Sequence, residues 1–316
     1  MVSYQFCILL QYIPRDIIDY IMDNVKYPVA IIGCRAAYPE MSLDCCEYDI
    51  AVYNKQFNGN KFVRLGEYGI ELINLRELSI TNAMNLYKMI VIRDDDSLTL
   101  SSLSSSFNKL FASQQYRKIL RAFGKKSIVN SLFYHDKIIN SIHNNSILAA
   151  MWLKIAAYDF LEGILALSGI KPMNIHQLNQ IRTITIERQD IADGVKTALE
   201  CIGIERAMRS TIDRASEAIY ELNAKGHDKE LIKIKVDYLL QNGMVSDCYY
   251  YLGKIGRRCL DDRDDRFLSK YLKLIQIAMD LTKDMQQIAM LQRNLFSISK
   301  ISLKELSNYY SWCNRL

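Results

Sequence analysis

The spacing of apolar positions changes near residue 100. Before that point, short β-branched runs alternate with amphipathic stretches. PRDIIDYIMDNVK places Ile17, Ile18, Ile21, Met22 and Val25 at helical spacing, and Pro14 suits a first turn. Pro28 separates this helix from VAIIG, a run suited to a buried strand. Residues 46–53, CEYDIAVY, alternate well enough for a second strand, and Asn58-Gly59 marks a turn. KFVRL and IELINL read as two more strands around the glycine-bracketed GEYG. SITNAMNLYK predicts a helix, KMIVIRDDD a last strand ending in acid, and SSLSSS a serine-rich boundary.

Beyond about residue 105 the strand signals stop. Helical segments follow, with breaks expected at Gly124, Gly169 to Pro172, Gly203, Gly226 and Gly243. Lys225-Gly226-His227-Asp228 reads as a glycine stop followed by a new start. In SILAAMWLKIAAYDFLEGILALSG nearly every position is apolar, the mark of a central, mostly buried helix. The pattern predicts an α+β protein: a small mixed sheet domain over 1–104, then an all-α helical domain over 105–316, with a candidate sub-boundary near 203–226.

Composition narrows the class. A chain of 316 residues suits two domains, and half hydrophobic with a quarter charged is a globular balance rather than a disordered one. The net charge of +5 permits an anionic ligand but lacks the basic stripe of a strong nucleic-acid binder. Eight cysteines without CxxC spacing predict free thiols in a reducing cytosol. The N-terminal MVSYQFCILLQYIPRD shows no secretory leader, and no apolar run reaches the roughly 18 residues of a membrane span. A soluble cytoplasmic protein without a membrane partner is expected.

The stretch IIGCRAAYPEMSLDCCEYDIAVY carries the chemistry. Period-2 geometry puts Glu47 and Asp49 on one strand face and Tyr48, Ile50 and Val52 on the other. Two such carboxylates repel by roughly a few kcal/mol at an effective dielectric near 20. A divalent cation turns that repulsion into attraction, and hard oxygen ligands suit Mg²⁺, which also bridges to phosphates. Gly33 and Cys34 just upstream allow close backbone approach to a phosphate and donation of N–H groups at a helix start. Arg35 reads either as a phosphate contact or as a surface cation. Lys154, in the most apolar helix, needs a partner; it either reaches a triphosphate across a domain cleft or snorkels. Asp94, Asp95 and Asp96 favour a strand-end turn over metal ligation, and DDRDDR at 261–266 a solvated loop or helix start. His176 reads as a helix-start or packing residue.

The order of glycine turn, short helix and acidic pair on the next strand resembles the nucleotidyltransferase superfamily of the DNA polymerase β type. AIIGCRA supplies the turn and EYDIAV the pair, over roughly the first third of the chain. The helical remainder is similar to the domain that accompanies kanamycin-type and minimal nucleotidyltransferases. The resemblance implies a third carboxylate on a later strand. By order this is Glu71, with Glu67 nearby. It further implies that Glu47, Asp49 and Glu71 hold Mg²⁺ while Gly33 and Cys34 hold the β/γ-phosphates of a nucleoside triphosphate. The reaction would move a nucleoside monophosphate to an acceptor hydroxyl on a small molecule, an RNA end or a protein. Cys34 stands where the family has serine or glycine, and Glu47 where it has aspartate. Both departures keep open a catalytically degenerate regulatory or protein-interaction module.

Overall fold

A computed structural model describes residues 13–54, 61–75, 84, 86–222, 229–260 and 263–306. The Asn58-Gly59 turn and the stop at 225–228 lie outside the described residues, as does most of the SITNAMNLYK stretch. The protein is α+β, with a five-stranded mixed sheet and many helices. It divides into two compact units. One comprises residues 1–119 with Glu230–Tyr238, the other 120–229 with 239–316.

The sheet unit holds β1 (Val29–Ile32), β2 (Tyr48–Val52), β3 (Lys61–Leu65), β4 (Tyr68–Asn74) and β5 (Ile90–Arg93) in the order β3-β4-β2-β1-β5. Neighbours are antiparallel except β2 and β4, which run parallel. Helix α1 (Arg15–Asn24) turns Ile17 and Ile21 onto one sheet face, where Val29, Ile31, Tyr48, Ile50, Val52, Ile70 and Leu72 meet them. Ala30, Ile32 and Ala51 point the opposite way and pack with Leu75, Leu86, Met89 and Leu100. With both faces covered, β1 has no polar alternation and reads as a continuous apolar run. The four-residue helix α2 (Cys34–Ala37) follows β1 directly.

Asp94 and Asp95 start α3 (Thr99–Ala112). The Asp94 carboxylate accepts the backbone N–H groups of Leu100 at 2.9 Å and Ser101 at 2.7 Å, and Asp95 accepts that of Thr99 at 2.9 Å. These are orphan donors of a first helical turn, which acidic side chains satisfy. Acid at the end of β5 therefore builds the next helix. Asp264 acts likewise, accepting from Phe267 N–H at 2.9 Å as the N-cap of a later helix.

The second unit is helical. Its elements include α5 (His135–His143), α6 (Leu148–Leu167), α7 (Gln177–Thr183), α8 (Gln189–Ile202), α9 (Arg209–Glu221), α11 (Val245–Cys259), α13 (Leu272–Ala278) and α14 (Met285–Leu306). Between these run α4 (Gln114–Phe133) and α10 (Lys229–Gln241), each divided between the two units, and the short α12 (Asp265–Lys270). Helix α6 is buried along nearly its whole length, as its composition predicts, and packs with α5 and α8. Its two acids are paired. Asp159 takes Arg257 and Glu162 takes Lys254 at 2.6 Å. Burial lifts the Asp159 carboxyl to about 6, although Arg257 opposes the shift. His176 is buried at the start of α7.

Chain breaks fall at Gly169, Gly203 and Gly243, but not at Gly124. Gly124 lies inside α4, facing Gly163 of α6. A methyl group at Gly124 would sit 2.9 Å from the Gly163 carbonyl oxygen and 2.7 Å from Leu167 Cγ. The glycine serves close helix approach rather than termination. Gly124→Ala should therefore lower unfolding stability by about 1–3 kcal/mol through overpacking, although alanine alone would favour the helix by about 1 kcal/mol. Urea denaturation of the two proteins measures the sign.

Candidate functional site

Three carboxylates meet at one edge of the sheet unit. Asp49 follows Tyr48 into β2 and shares its face with Ala51, away from α1. Glu71 lies directly opposite Asp49 in the parallel β2/β4 pair. Glu47, expected within a strand over 46–53, precedes the observed strand, which starts at Tyr48, and has the same parity as Asp49. One oxygen from each of Glu47, Asp49 and Glu71 falls within 4.8 Å of the others, and all three residues are partly exposed. Glu67 is an exposed residue of the β3/β4 turn. The parallel register, invisible in the local sequence, is what brings Glu71 to the pair.

Gly33 completes this edge. It links β1 to α2 with φ +80°, a conformation side chains rarely adopt. A methyl group there would lie 2.0 Å from Asp49 Oδ2. The Asp49 carboxylate thus rests against the bare backbone of the turn. The Cys34 and Cys45 thiols are held protonated. Hydrogen bonding with the Cys46 thiol and burial raise both, and the charges of Glu47 and Asp49 push Cys34 further up. The acidic edge accordingly offers hard carboxylate oxygens rather than thiolates.

Arg35 has a structural task. Its Nε donates to the Cys46 carbonyl at 2.8 Å and its Nη2 to the Asp44 carbonyl at 2.9 Å, with the guanidinium 4.4 Å from the Tyr48 ring centre. The loop entering β2 lacks ladder partners for these carbonyls, and Arg35 supplies them.

The cation at the carboxylates is Lys235, on α10. Its ammonium donates to Glu47 Oε1 at 2.9 Å and lies 2.7 Å from Oε2. Lys235 is 6% exposed. Ile232, Val236 and Leu239 are buried around it, so the lysine falls on an apolar helical stripe. That misplaced charge was a readable signal, but it named no partner.

Lys154 belongs to the helical unit and is buried. Its ammonium donates to the Met279 carbonyl at 2.6 Å and to Tyr249 Oη at 3.1 Å, and it does not snorkel. Burial, then the nearby Arg206 charge, push its pKa down to about 7, against the pull of Asp280 and Glu205.

Comparison with protein-family models, with curated proteins and with solved structures returns no match.

Gly33→Ala should cost about 1–3 kcal/mol from the left-handed backbone and move the Asp49 carboxylate; thermal denaturation checks the loss. For Lys154, the folded pKa near 7 lies below the ordinary 10.5. Between these values the unfolded chain binds more protons, so stability rises with pH; below pH 7 this contribution is lost. The gap between wild type and Lys154→Met should shift in favour of wild type by up to about 1.4 kcal/mol per pH unit from pH 7.5 to 9. A pH-independent gap in urea midpoints would mean that the buried ammonium keeps its proton.

Proposed function

We propose that the protein is a Mg²⁺-dependent nucleotidyltransferase, moving a nucleoside monophosphate from a nucleoside triphosphate to an acceptor hydroxyl with loss of pyrophosphate. The observation that carries this reading is the meeting of Glu47, Asp49 and Glu71 within 4.8 Å beside the Gly33 turn. The donor set fits a hard divalent ion: carboxylate oxygens, partly open to solvent, with neutral thiols behind them. A bound ion would neutralise phosphate charge and lower the pKa of the attacking hydroxyl. The roles of the chain's own groups follow from their positions. Asp49 and Glu71, paired across β2 and β4, hold the cation edge and orient the phosphates. Glu71 is also the candidate base for the acceptor hydroxyl. In this reading the backbone N–H groups of the Gly33-Cys34 turn hold phosphate oxygens, while the Asp49 carboxylate fills the space that a Gly33 side chain would take. Arg35 supports the loop that carries Glu47, and Lys154 is left to the interior of the helical unit.

A second reading is a degenerate nucleotidyltransferase-like module that binds a partner without turnover. The Lys235–Glu47 pair favours it, because one carboxylate of the three already has its counter-charge. Among the described residues no helix is long and apolar enough to cross a membrane.

A thermal-shift panel of the four nucleoside triphosphates, with and without Mg²⁺, tests both readings. Wild type should gain several degrees with at least one triphosphate only when Mg²⁺ is present, as expected for a ligand well above its Kd. Asp49→Asn should lose that gain. Relief of carboxylate repulsion should raise its ion-free melting point slightly. No shift for wild type in any well overturns nucleotide binding; a shift without turnover of any offered acceptor favours the degenerate module.

A further inference from the structure

We propose that Lys235 is a resident cation of the carboxylate site, so that the cluster takes one divalent ion, at Asp49 and Glu71, instead of two. The inference rests on the proposed function and specifies its ion content.

A two-ion transfer site places its metals about 3.5–4 Å apart, bridged by shared carboxylates. Here the Lys235 ammonium lies within 2.9 Å of both Glu47 oxygens, and those oxygens belong to a cluster spanning 4.8 Å. Both oxygens of Glu47 are therefore in use by a positive charge. A second ion on Glu47 would either evict that ammonium or sit against it. Eviction is unfavourable, since a 6% exposed ammonium would lose a direct ion pair in a poorly solvated place.

The sequence distance is informative as well. Lys235 comes 188 residues after Glu47. The α10 segment Glu230–Tyr238 nevertheless groups with the sheet unit, anchored also by the Glu230 contact to Arg64 at 3.3 Å. An apolar residue at 235 would continue the Ile232, Val236 and Leu239 stripe without strain, so a lysine there places a charge where packing alone does not ask for one. Glutamate at position 47 suits this role, its longer side chain reaching the ammonium while Asp49 stays against Gly33.

Mn²⁺ titration of the full chain, read by electron paramagnetic resonance and calorimetry without nucleotide, tests the inference. Wild type and Lys235→Arg should each bind one Mn²⁺. Lys235→Met should bind two, or bind the first at least tenfold more tightly. Lys235→Gln, which keeps a donor toward Glu47 without the charge, is measured beside it in case the apolar variant does not fold; circular dichroism reports folding. Two ions on wild type, or the same Mn²⁺ binding in folded Lys235→Met and Lys235→Gln as in wild type, overturn the role of Lys235 and leave the metal site standing. Absence of Mn²⁺ binding in wild type and the folded variants overturns the metal site itself and this inference with it.

Discussion

Like charges crowded on one face of the sheet, at the interior β2/β4 pair, constrain the whole sheet unit. At 4.8 Å, each fully charged carboxylate pair repels by about 3 kcal/mol at an effective dielectric near 20, less where water reaches. Without compensation such a cluster would open the β2/β4 edge or take up protons. Compensation comes from elsewhere in the chain. Lys235 meets both oxygens of Glu47, while Arg35 fixes the loop on which Glu47 rides. Breaking an ion pair that is largely out of water typically costs about 3–5 kcal/mol. The Lys235 contact thus offsets part of the repulsion among the acids.

Backbone geometry then decides what the retained charges can do. The Asp49–Glu71 register requires β2 and β4 to run parallel, and a parallel pair requires a crossover. Here β3 is inserted before β4, returning antiparallel on its outer side. The result leaves the two acids side by side with the Gly33 turn beyond them. At Gly33 any Cβ would strike Asp49 Oδ2, so a bare backbone beside a carboxylate is built into the strand order. Charge and bare backbone thus lie side by side, with the Asp49 carboxylate filling the space that a side chain at position 33 would need.

Much of this was legible in the sequence, and the failures have physical causes. The β-branched run of β1 was readable because that strand is buried on both faces. Period-2 parity placed Glu47 and Asp49 on one face without reference to any partner. Glu71 followed from strand order alone, since parallel register is a tertiary property that no local pattern encodes. Gly124 misled because glycine signals a helix stop and a close helix crossing equally well; only Gly163 on α6 distinguishes them. Arg35 read as either a phosphate contact or a surface cation because its carbonyl partners, between Leu43 and Cys46, are backbone atoms without sequence identity. Lys235 was visible as a lysine on an apolar stripe, yet its acidic partner lay 188 residues away.

The two buried lysines show why burial alone does not assign function. Lys154 is surrounded by a carbonyl and a tyrosine hydroxyl, and desolvation pushes its pKa down to about 7. Lys235 faces both oxygens of a carboxylate in a cluster of three acids. Lys235 answers an electrostatic problem by pairing with a carboxylate, Lys154 a packing problem by hydrogen bonds to neutral oxygens. The same residue type at similar depth is thus given different partners by its surroundings, and of the two only Lys235 sits among the acids.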